Sequence, residues 1–417
     1  MSSTAVGVVA VNSPDFVATM LGQLERGVVT VPLRHREDRQ RIAAAGVGDV
    51  LVPEPGFGWL DVGHEPREDD AVAQILFTSG TEGDPKGVVL AHRALADVVA
   101  RLHGVMGMDA SIREYVGIPV YHSFGFGRCR AVAAAGGRVF IPEHGFNPTE
   151  IAAMLERGEI NALSAVPSLW RLLLASRVIF GDFRRRLRWA EIGSQHMTRD
   201  EKDAVRTLFP EAKIVEHYGL TEASRSTFLE IDAAGPEHLA SVGRPSGRVE
   251  VRIAVDGRVL VRGPHVTHAI QVGGHMLDPR DDAGWYTTND LGELRDGVLY
   301  YLGRADDVIN CGGVKLSPSA LEARVRQLLG TDAELAICRI PNAVRGDGIL
   351  VAATPALQAT DAVLSQAAAT AVQELGASAG GAVRVHRVAE LPKTETGKVQ
   401  RRRLSEQYAA RGARRRA

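Results

Sequence analysis

Cysteine is scarce in this 417-residue chain. Cys129, Cys311 and Cys338 are scattered and no CxxC pair occurs, so neither a disulfide framework nor a thiolate zinc site is expected. Charge of one sign is lacking too. The formal net charge is −1, which removes any global electrostatic case for nucleic acid or acidic membranes. The basic clusters "RRRLR" (184–188), "RRRL" (401–404) and the tail "RGARRRA" then read as solvated faces or loose ends. No run of about 18 apolar residues occurs, and no basic segment precedes an apolar one at the N-terminus. No membrane span is expected, and the cytoplasm is the default location. Internal repeats are absent as well.

Apolar residues make up 45% of the chain, enough for sizeable cores, and the length suits a large domain plus a smaller one. "VGVVAVN" (6–12) reads as a buried strand. In "SPDFVATMLGQLERG" Ser13 can cap a helix, Pro14 suits its first turn and Gly27 can stop it. Strand and helix patterns then alternate to about residue 225: strands near 72–77, 115–119, 161–165 and 212–216, helices near 92–107, 148–157, 167–175 and 198–209. This alternation predicts a mostly parallel sheet covered on both faces. Between 238 and 302, short β-like runs among Gly, Pro and Asp turns predict a small β subdomain. After "GRADD" (303–307) the pattern predicts a compact α+β unit. The expected fold is therefore α/β: a large N-terminal domain of parallel-sheet layers with a small β subdomain, followed by a small α+β C-terminal domain, which the resemblance described below makes mobile.

"ILFTSGTEGDPKGVVL" (75–90) runs from a strand into small and hydroxyl residues and ends in Lys86-Gly87. It is not a Walker A motif, because Pro85 stands where the second glycine belongs and Gly87 follows Lys86. "GFGRCR" (125–130) is no dinucleotide fingerprint, because Arg130 takes the third glycine's place. The loop still suits phosphate: hydroxyl donors at Thr78, Ser79 and Thr81, close backbone approach at Gly80 and Gly83, and a point charge at Lys86. Alone, it reads equally well as a surface turn.

Four further segments stand in order behind it: "HYGLTEAS" (217–224), "WYTTNDLGEL" (285–294), "YLGRADDVINCGGVKLSP" (301–318) and "LPKTETGKVQRRRL" (391–404). With the loop, this set resembles the adenylate-forming superfamily of acyl-CoA synthetases, peptide-synthetase adenylation domains and luciferases. The resemblance implies two half-reactions. A carboxylate attacks the α-phosphate of ATP to give acyl-AMP and pyrophosphate; a thiol then displaces AMP. It implies an N-terminal adenylation domain over 1–305 and a C-terminal lid domain over 306–417.

By the same resemblance, the loop holds the β- and γ-phosphates, Tyr218 with Gly219 lies against adenine, and Thr221 bonds the α-phosphate or the carboxylate. Glu222 holds Mg²⁺. Asp290 and Arg304 hold the ribose. "IGSQ" (192–195) lies against adenine and the acyl pocket, with Gly193 and Ser194 on the nucleotide side and Gln195 on the acyl side. His122, Phe124 and Trp170 line the acyl pocket. Lys398 on the lid is the catalytic lysine of the first half-reaction, Asp306 the hinge, and Gly312 and Gly313 the walls of the thiol tunnel. For Arg225 in "EASRSTF", pairing with the protein's own acidic residues is favoured over contact with substrate.

Some positions depart from the family pattern: Glu82 for Thr in the loop, His217 for a small residue, Asn289 for Gly and Asn310 for Lys. The opening stretch of a typical member has no counterpart here, which resembles the short o-succinylbenzoate-CoA synthetase type. The implied cofactors are ATP, Mg²⁺ and CoA, or the phosphopantetheine of a carrier protein supplied in trans. The implied partner is a small carboxylic acid, without an Asp in "VYHSFGFG" to hold an α-ammonium. Monomer and homodimer are both open. So are two alternatives to CoA ligation: loading a stand-alone carrier, and adenylation for non-thioester chemistry.

Overall fold

The computed structural model describes residues 5–78, 86–331, 333–376, 381–394 and 398–414. The first strand, Ala5–Val9, gives way to the helix Pro14–Glu25 at Ser13. Its buried hydroxyl accepts a hydrogen bond from Phe16 N at 3.1 Å, and Pro14 occupies the first turn, where an amide hydrogen would have no partner. The helix buries Phe16, Val17, Met20, Leu21 and Leu24 on one face. Helix Pro148–Arg157 is built alike: Asn147 caps it and Gly158, at φ 70°, ends it.

Where one mostly parallel sheet was expected, two seven-stranded sheets form. The first runs His275–Leu277, Ala269–Val272, Lys86–Ala91, Val72–Thr78, Thr30–Leu33, Ala5–Val9, Val47–Leu51. Its pairs are parallel from Val72–Thr78 inward to Val47–Leu51 and antiparallel on the other side. The second runs Ala223–Glu230, Lys213–Leu220, Trp189–Ile192, Ala162–Ala165, Arg113–Val116, Arg138–Ile141, Gly58–Leu60. Its five inner strands are parallel and its two outer pairs antiparallel. The split follows from the phosphate-loop hairpin. Val72–Thr78 pairs antiparallel with the next described strand, Lys86–Ala91, where a parallel neighbour would need a crossover, and the second sheet takes up the chain after helix His92–Met106.

The 238–302 stretch also differs from expectation. Glu250–Ile253, Arg258–Arg262, Tyr286–Arg295 and Val298–Arg304 make a four-stranded sheet, but Ala269–Val272 and His275–Leu277 join the first large sheet through Lys86–Ala91.

The chain divides into two compact units. The larger holds 1–252, 260–287 and 294–300; the smaller holds 253–259, 288–293 and 301–417. The larger has two main apolar cores, one around Phe16, Met20, Leu102 and Phe126, the other around Tyr115, Trp170, Phe180 and Phe209. In the smaller unit, helices Pro318–Leu329 and Asp361–Glu374 pack on strands Leu335–Asn342, Gly346–Ala353 and Val383–Arg387, burying Leu321, Ile337, Val351 and Leu364. Here the "RRRL" segment departs from the loose-end expectation. It begins helix Arg401–Arg414, Leu404 is fully buried, and Arg401 donates to Glu322 Oε1 (2.8 Å) and to the Ile337 carbonyl (3.1 Å). A helix-period basic run looks solvated in sequence because the acidic partner, Glu322, lies far away along the chain. Among the described residues no helix is long and apolar enough to cross a membrane.

Trp170 is fully buried, stacked edge-on against Phe209 at 6.1 Å, with its indole N–H donating to the Ala165 carbonyl at 3.1 Å. Trp170→Ala is expected to cost about 3–5 kcal/mol, the usual loss for a core aromatic. Urea unfolding of the two proteins checks it; an unchanged midpoint would refute the core role.

Candidate functional site

Two hairpins build the site in the larger unit. The first is Val72–Thr78 with Lys86–Ala91, in register from Val72↔Ala91 to Thr78↔Lys86. Ser79, Gly80, Thr81, Glu82 and Gly83 lie outside the described residues. The second is Lys213–Leu220 with Ala223–Glu230, with an irregularity between Tyr218 and Leu220 that places Thr221 and Glu222 at the turn. Thr267 ties the two together: its amide donates to the Glu222 carbonyl (2.8 Å) and its hydroxyl to the Val89 carbonyl (2.5 Å). Lys86 Nζ then donates to Glu222 Oε1 at 2.7 Å. The lysine expected to meet phosphate and the carboxylate expected to hold a metal thus meet, each partly shielded from water. Tyr218 is buried just before the turn.

Glycine is required at Gly219, where a Cβ would stand 2.3 Å from Arg225 N, and at Gly193, where it would stand 2.0 Å from the His217 ring. Ser194 (φ 72°) and Arg225 (φ 56°) are left-handed without being glycine. Such strain persists where surrounding structure over-determines it and gathers at functional sites.

What over-determines Arg225 is Glu191. This carboxylate, on the strand Trp189–Ile192, is completely buried. Arg225 Nε donates to its Oε1 (2.7 Å) and Nη2 to its Oε2 (3.1 Å). Arg128 Nη1 lies 3.2 Å from Oε2 and turns its other donors to Glu114, with Nε at 2.9 Å. His217 Nδ1 lies 2.6 Å from Oε1, without hydrogen-bond geometry. Burial alone would raise the Glu191 pKa, but Arg225, His217 and Arg128 outweigh it and hold the carboxyl far below the usual range. Burial pushes the His217 pKa down against the pull of Glu191, and the two guanidinium groups are the permanent counter-charges. Arg101 closes the network by donating to the Arg225 carbonyl (2.5 Å) and to Asp97 (2.7 Å).

The residues predicted for an acyl pocket fall into two groups. Phe124 belongs to the network: its ring meets His217 edge-on at 4.8 Å and lies under the Arg225 guanidinium at 5.4 Å. His122 stands just before helix Ser123–Ala134, with its ring 4.7 Å from Tyr121. Gln195 is half-buried next to Ser194. Trp170, by contrast, is a core residue. The glycines of "GFG" serve close packing: a Cβ on Gly125 would meet the Pro119 carbonyl at 2.3 Å and one on Gly127 would meet Arg225 Nη1 at 2.7 Å. Arg225 pairs with the protein's own carboxylate, as the sequence favoured. Glu191, Glu114 and Arg128 escaped sequence reasoning. The available signal was arginine in an otherwise apolar helix, "SFGFGRCRAVAA".

In the smaller unit, Asp290 is buried and its amide donates to Thr288 Oγ1 at 3.1 Å. Burial would lower the Arg304 pKa, but Asp290 and Asp306 raise it above its ordinary value. Arg304 Nη2 donates to Asp306 Oδ2 at 3.2 Å, and Asn289 donates to the same carboxylate's Oδ1. Asn289, the residue that departs from the family pattern, therefore engages the predicted hinge residue. Gly312 and Gly313 both have positive φ, 64° and 88°. Lys398 is exposed; the Thr394 amide donates to its carbonyl (2.8 Å) and its own amide donates to Thr394 Oγ1 (3.1 Å). Among the described residues no group of three or more His, Cys, Asp or Glu could hold a metal ion, so a metal here would draw on Glu222 and on ligands brought by a phosphate substrate.

Comparison with known proteins adds three findings. The sequence profile of a family described as AMP-binding enzyme matches residues 48–270. The chain is similar to a 2-succinylbenzoate–CoA ligase of Listeria monocytogenes, 26% identical over 411 residues that cover 92% of this chain and 84% of the relative. Its fold is similar to two solved structures. One is the o-succinylbenzoate CoA synthetase of Bacillus subtilis in complex with its acyl-adenylate intermediate: TM-score 0.80, 20% identity, 96% of this chain and 88% of that one. The other is an amide bond synthetase of Marinactinospora thermotolerans: TM-score 0.79, 21% identity, 98% and 90%.

Glu191→Gln is expected to destabilise the fold by about 3–5 kcal/mol at neutral pH, because it leaves buried guanidinium groups without their counter-charge. A depressed folded pKa contributes stability above the unfolded value, about 4.3, and loses it as pH falls toward the folded value. The gap between the wild type and Glu191→Gln should therefore be full above pH ~4.3 and narrow below it. Urea midpoints across that range decide; a gap independent of pH would show that Glu191 acts by shape alone.

Proposed function

The chain belongs to the AMP-binding enzyme family, and from that membership we propose that it is an AMP-forming acyl- or aryl-CoA ligase. A carboxylate oxygen attacks the α-phosphorus of ATP, the bond to pyrophosphate breaks, and acyl-AMP forms. The sulfur of CoA then attacks the acyl carbon, the carbon–oxygen bond to AMP breaks, and the thiol proton passes to solvent. The observation that carries this reading is the meeting of Lys86 and Glu222 at 2.7 Å where the two hairpins converge. The first half-reaction brings an anion to a polyanion, so charge management dominates its barrier. Lys86 offers a fixed cation from the phosphate loop, and Glu222 a hard oxygen ligand of the kind Mg²⁺ takes. Glu222 would hold Mg²⁺, which would supply neutralisation of phosphate charge.

The other roles are proposed on the match to the family's segments. Thr78 with Ser79, Gly80, Thr81 and Gly83 cradles the phosphates, and Thr221 bonds the α-phosphate. Tyr218, Gly193, Ser194 and Gly219 hold the adenine, and Asp290 with Arg304 the ribose. His122, Phe124 and Gln195 border the acyl group; the burial of Trp170 puts it behind that wall. Lys398 neutralises charge on the acyl carboxylate and α-phosphate. Asp306 is the hinge between domains 1–305 and 306–417, and Gly312 and Gly313 admit the pantetheine.

ATP–pyrophosphate exchange over a panel of fatty, aryl and amino acids, without CoA, is the direct test. Exchange dependent on one acid class supports the reading and names the acid; CoA, a carrier protein and an amine are then compared as acceptors. ATP binding without exchange for any acid would overturn it. Lys398→Ala should lower adenylate formation by about 10²–10³ or more, the scale of losing one charge-stabilising donor, while thioester formation from supplied acyl-AMP stays largely intact. Equal loss of both half-reactions would remove Lys398 from a role confined to the first. Asp290→Ala should weaken ATP binding by about 2–4 kcal/mol, the worth of two charge-assisted hydrogen bonds, read by calorimetry.

A further inference from the structure

Asn289 departs from the family pattern, and the proposed chemistry makes no use of it. It lies on strand Tyr286–Arg295, next to the buried Asp290. Its side-chain amide donates to Asp306 Oδ1, and Arg304 Nη2 donates to Asp306 Oδ2 at 3.2 Å. Both oxygens of this carboxylate are therefore held from two strands of one four-stranded sheet. A glycine at 289, as the family pattern has it, offers no side-chain donor for the first bond. All three residues belong to the smaller unit, which takes in 288–293 together with 301–417.

Asp306 sits in the single turn Ala305–Asp307, and that turn is held on its other side as well. Asp307 Oδ2 lies 3.5 Å from Arg401 Nη1, and Arg401 Nη2 donates to Glu322 Oε1 at 2.8 Å. The two holds differ in depth. The Arg401 and Glu322 side chains are 20% and 9% exposed, those of Arg304 and Asp306 48% and 45%. Solvent screens the exposed pair, so it opens readily, whereas a shielded guanidinium parts from its carboxylates at greater cost. A swivel in this turn lets go of Asp306 first, while Asp307 stays with helix Arg401–Arg414.

We propose that Asn289 is a positioning residue for the lid: it clasps Asp306 and sets how readily the chain swivels there. This rests on the proposed reading of Asp306 as the hinge. Under the same reading the ribose draws on Arg304, so nucleotide can withdraw one half of the clasp. The neutral Asn289 amide is the half that stays. The clasp is weak enough to open in every catalytic cycle and specific enough to bias where the swivel rests between openings.

Limited digestion of the full chain with trypsin reads the clasp directly, because Arg304 puts a trypsin bond, Arg304–Ala305, inside it. Cleavage of that bond follows how often the segment opens. Asn289→Ala should speed it by about two- to fivefold, the scale of one solvent-screened contact. Asn289→Asp, equal in size but a like charge facing Asp306, should speed it at least as much. In an Asp306→Ala background, Asn289→Ala should add nothing; a merely structural role on its own strand would act there undiminished. Spin labels at Val178→Cys and Val363→Cys, both exposed positions in a chain whose three native cysteines are buried, then read the lid itself. Their distance distribution should broaden or shift in Asn289→Ala. Digestion at the wild-type rate in Asn289→Asp, an undiminished effect without Asp306, or an unchanged distance distribution would each overturn the proposal. No ATP or acid is added, so a failed clasp and a failed pyrophosphate exchange are separate results.

Discussion

Glu191 is the fixed point of the larger unit. It sits in the middle of a parallel sheet, on a strand paired on both sides, with no water to solvate it. Its charge survives there because two guanidinium groups reach it from different elements: Arg225 from the returning strand of the second hairpin and Arg128 from the helix after His122. Each of those elements would otherwise be held only by apolar packing, which tolerates sliding. A buried carboxylate with bidentate geometry does not, because a shift of an ångström strips a charge of its partner. The network therefore trades net stability, where buried ion pairs do little better than apolar residues, for a fixed placement of three backbone segments.

That placement reaches the site through the backbone. Arg225 is drawn into a left-handed conformation, the His217 ring lies close against Gly193, and the turn between them must carry Thr221 and Glu222. Thr267 then fixes the height of that turn against the phosphate-loop hairpin. The positions of the polar groups proposed to manage phosphate charge are thus inherited from a carboxylate that touches no substrate.

The sequence made one side of this visible. Loop composition, the ordered segments and the strand–helix alternation gave the α/β class, the smaller α+β unit and residues that do converge, Lys86 and Glu222 among them. The same reading missed Glu191 and Glu114, because each is the single acid of a four-residue strand, and a partner's identity depends on contacts across the sheet. Trp170 was read as pocket wall because its helix starts near the site; its direction along that helix, toward Phe209, is not encoded in the local pattern. The division into two sheets was hidden for a similar reason. A hairpin and a crossover look alike in periodicity, and only the shortness of the link between Val72–Thr78 and Lys86–Ala91 separates them. The basic C-terminal run was misjudged because Arg401 finds Glu322 at long range.

The two carboxylate–cation arrangements in the site differ in how easily they can be exchanged, and the difference suits their positions. Glu191 is fully enclosed, and removing one partner exposes a bare charge in the core, a change of about 3–5 kcal/mol. The Lys86–Glu222 pair keeps access to water, with the two side chains 31% and 13% exposed, so breaking it costs about 1 kcal/mol or less on the scale of solvent-screened pairs. On the proposed function, the pair must open for every turnover, since the phosphates claim Lys86 and the metal claims Glu222. A pair too strong would compete with the nucleotide; no pair at all would leave a half-buried lysine and a half-buried carboxylate each without a counter-charge between turnovers. A shallow, partly hydrated ion pair resting on a deep and rigid one meets both demands. The depth of burial, more than the identity of the residues, separates the carboxylate that holds the fold from the one proposed to serve the chemistry.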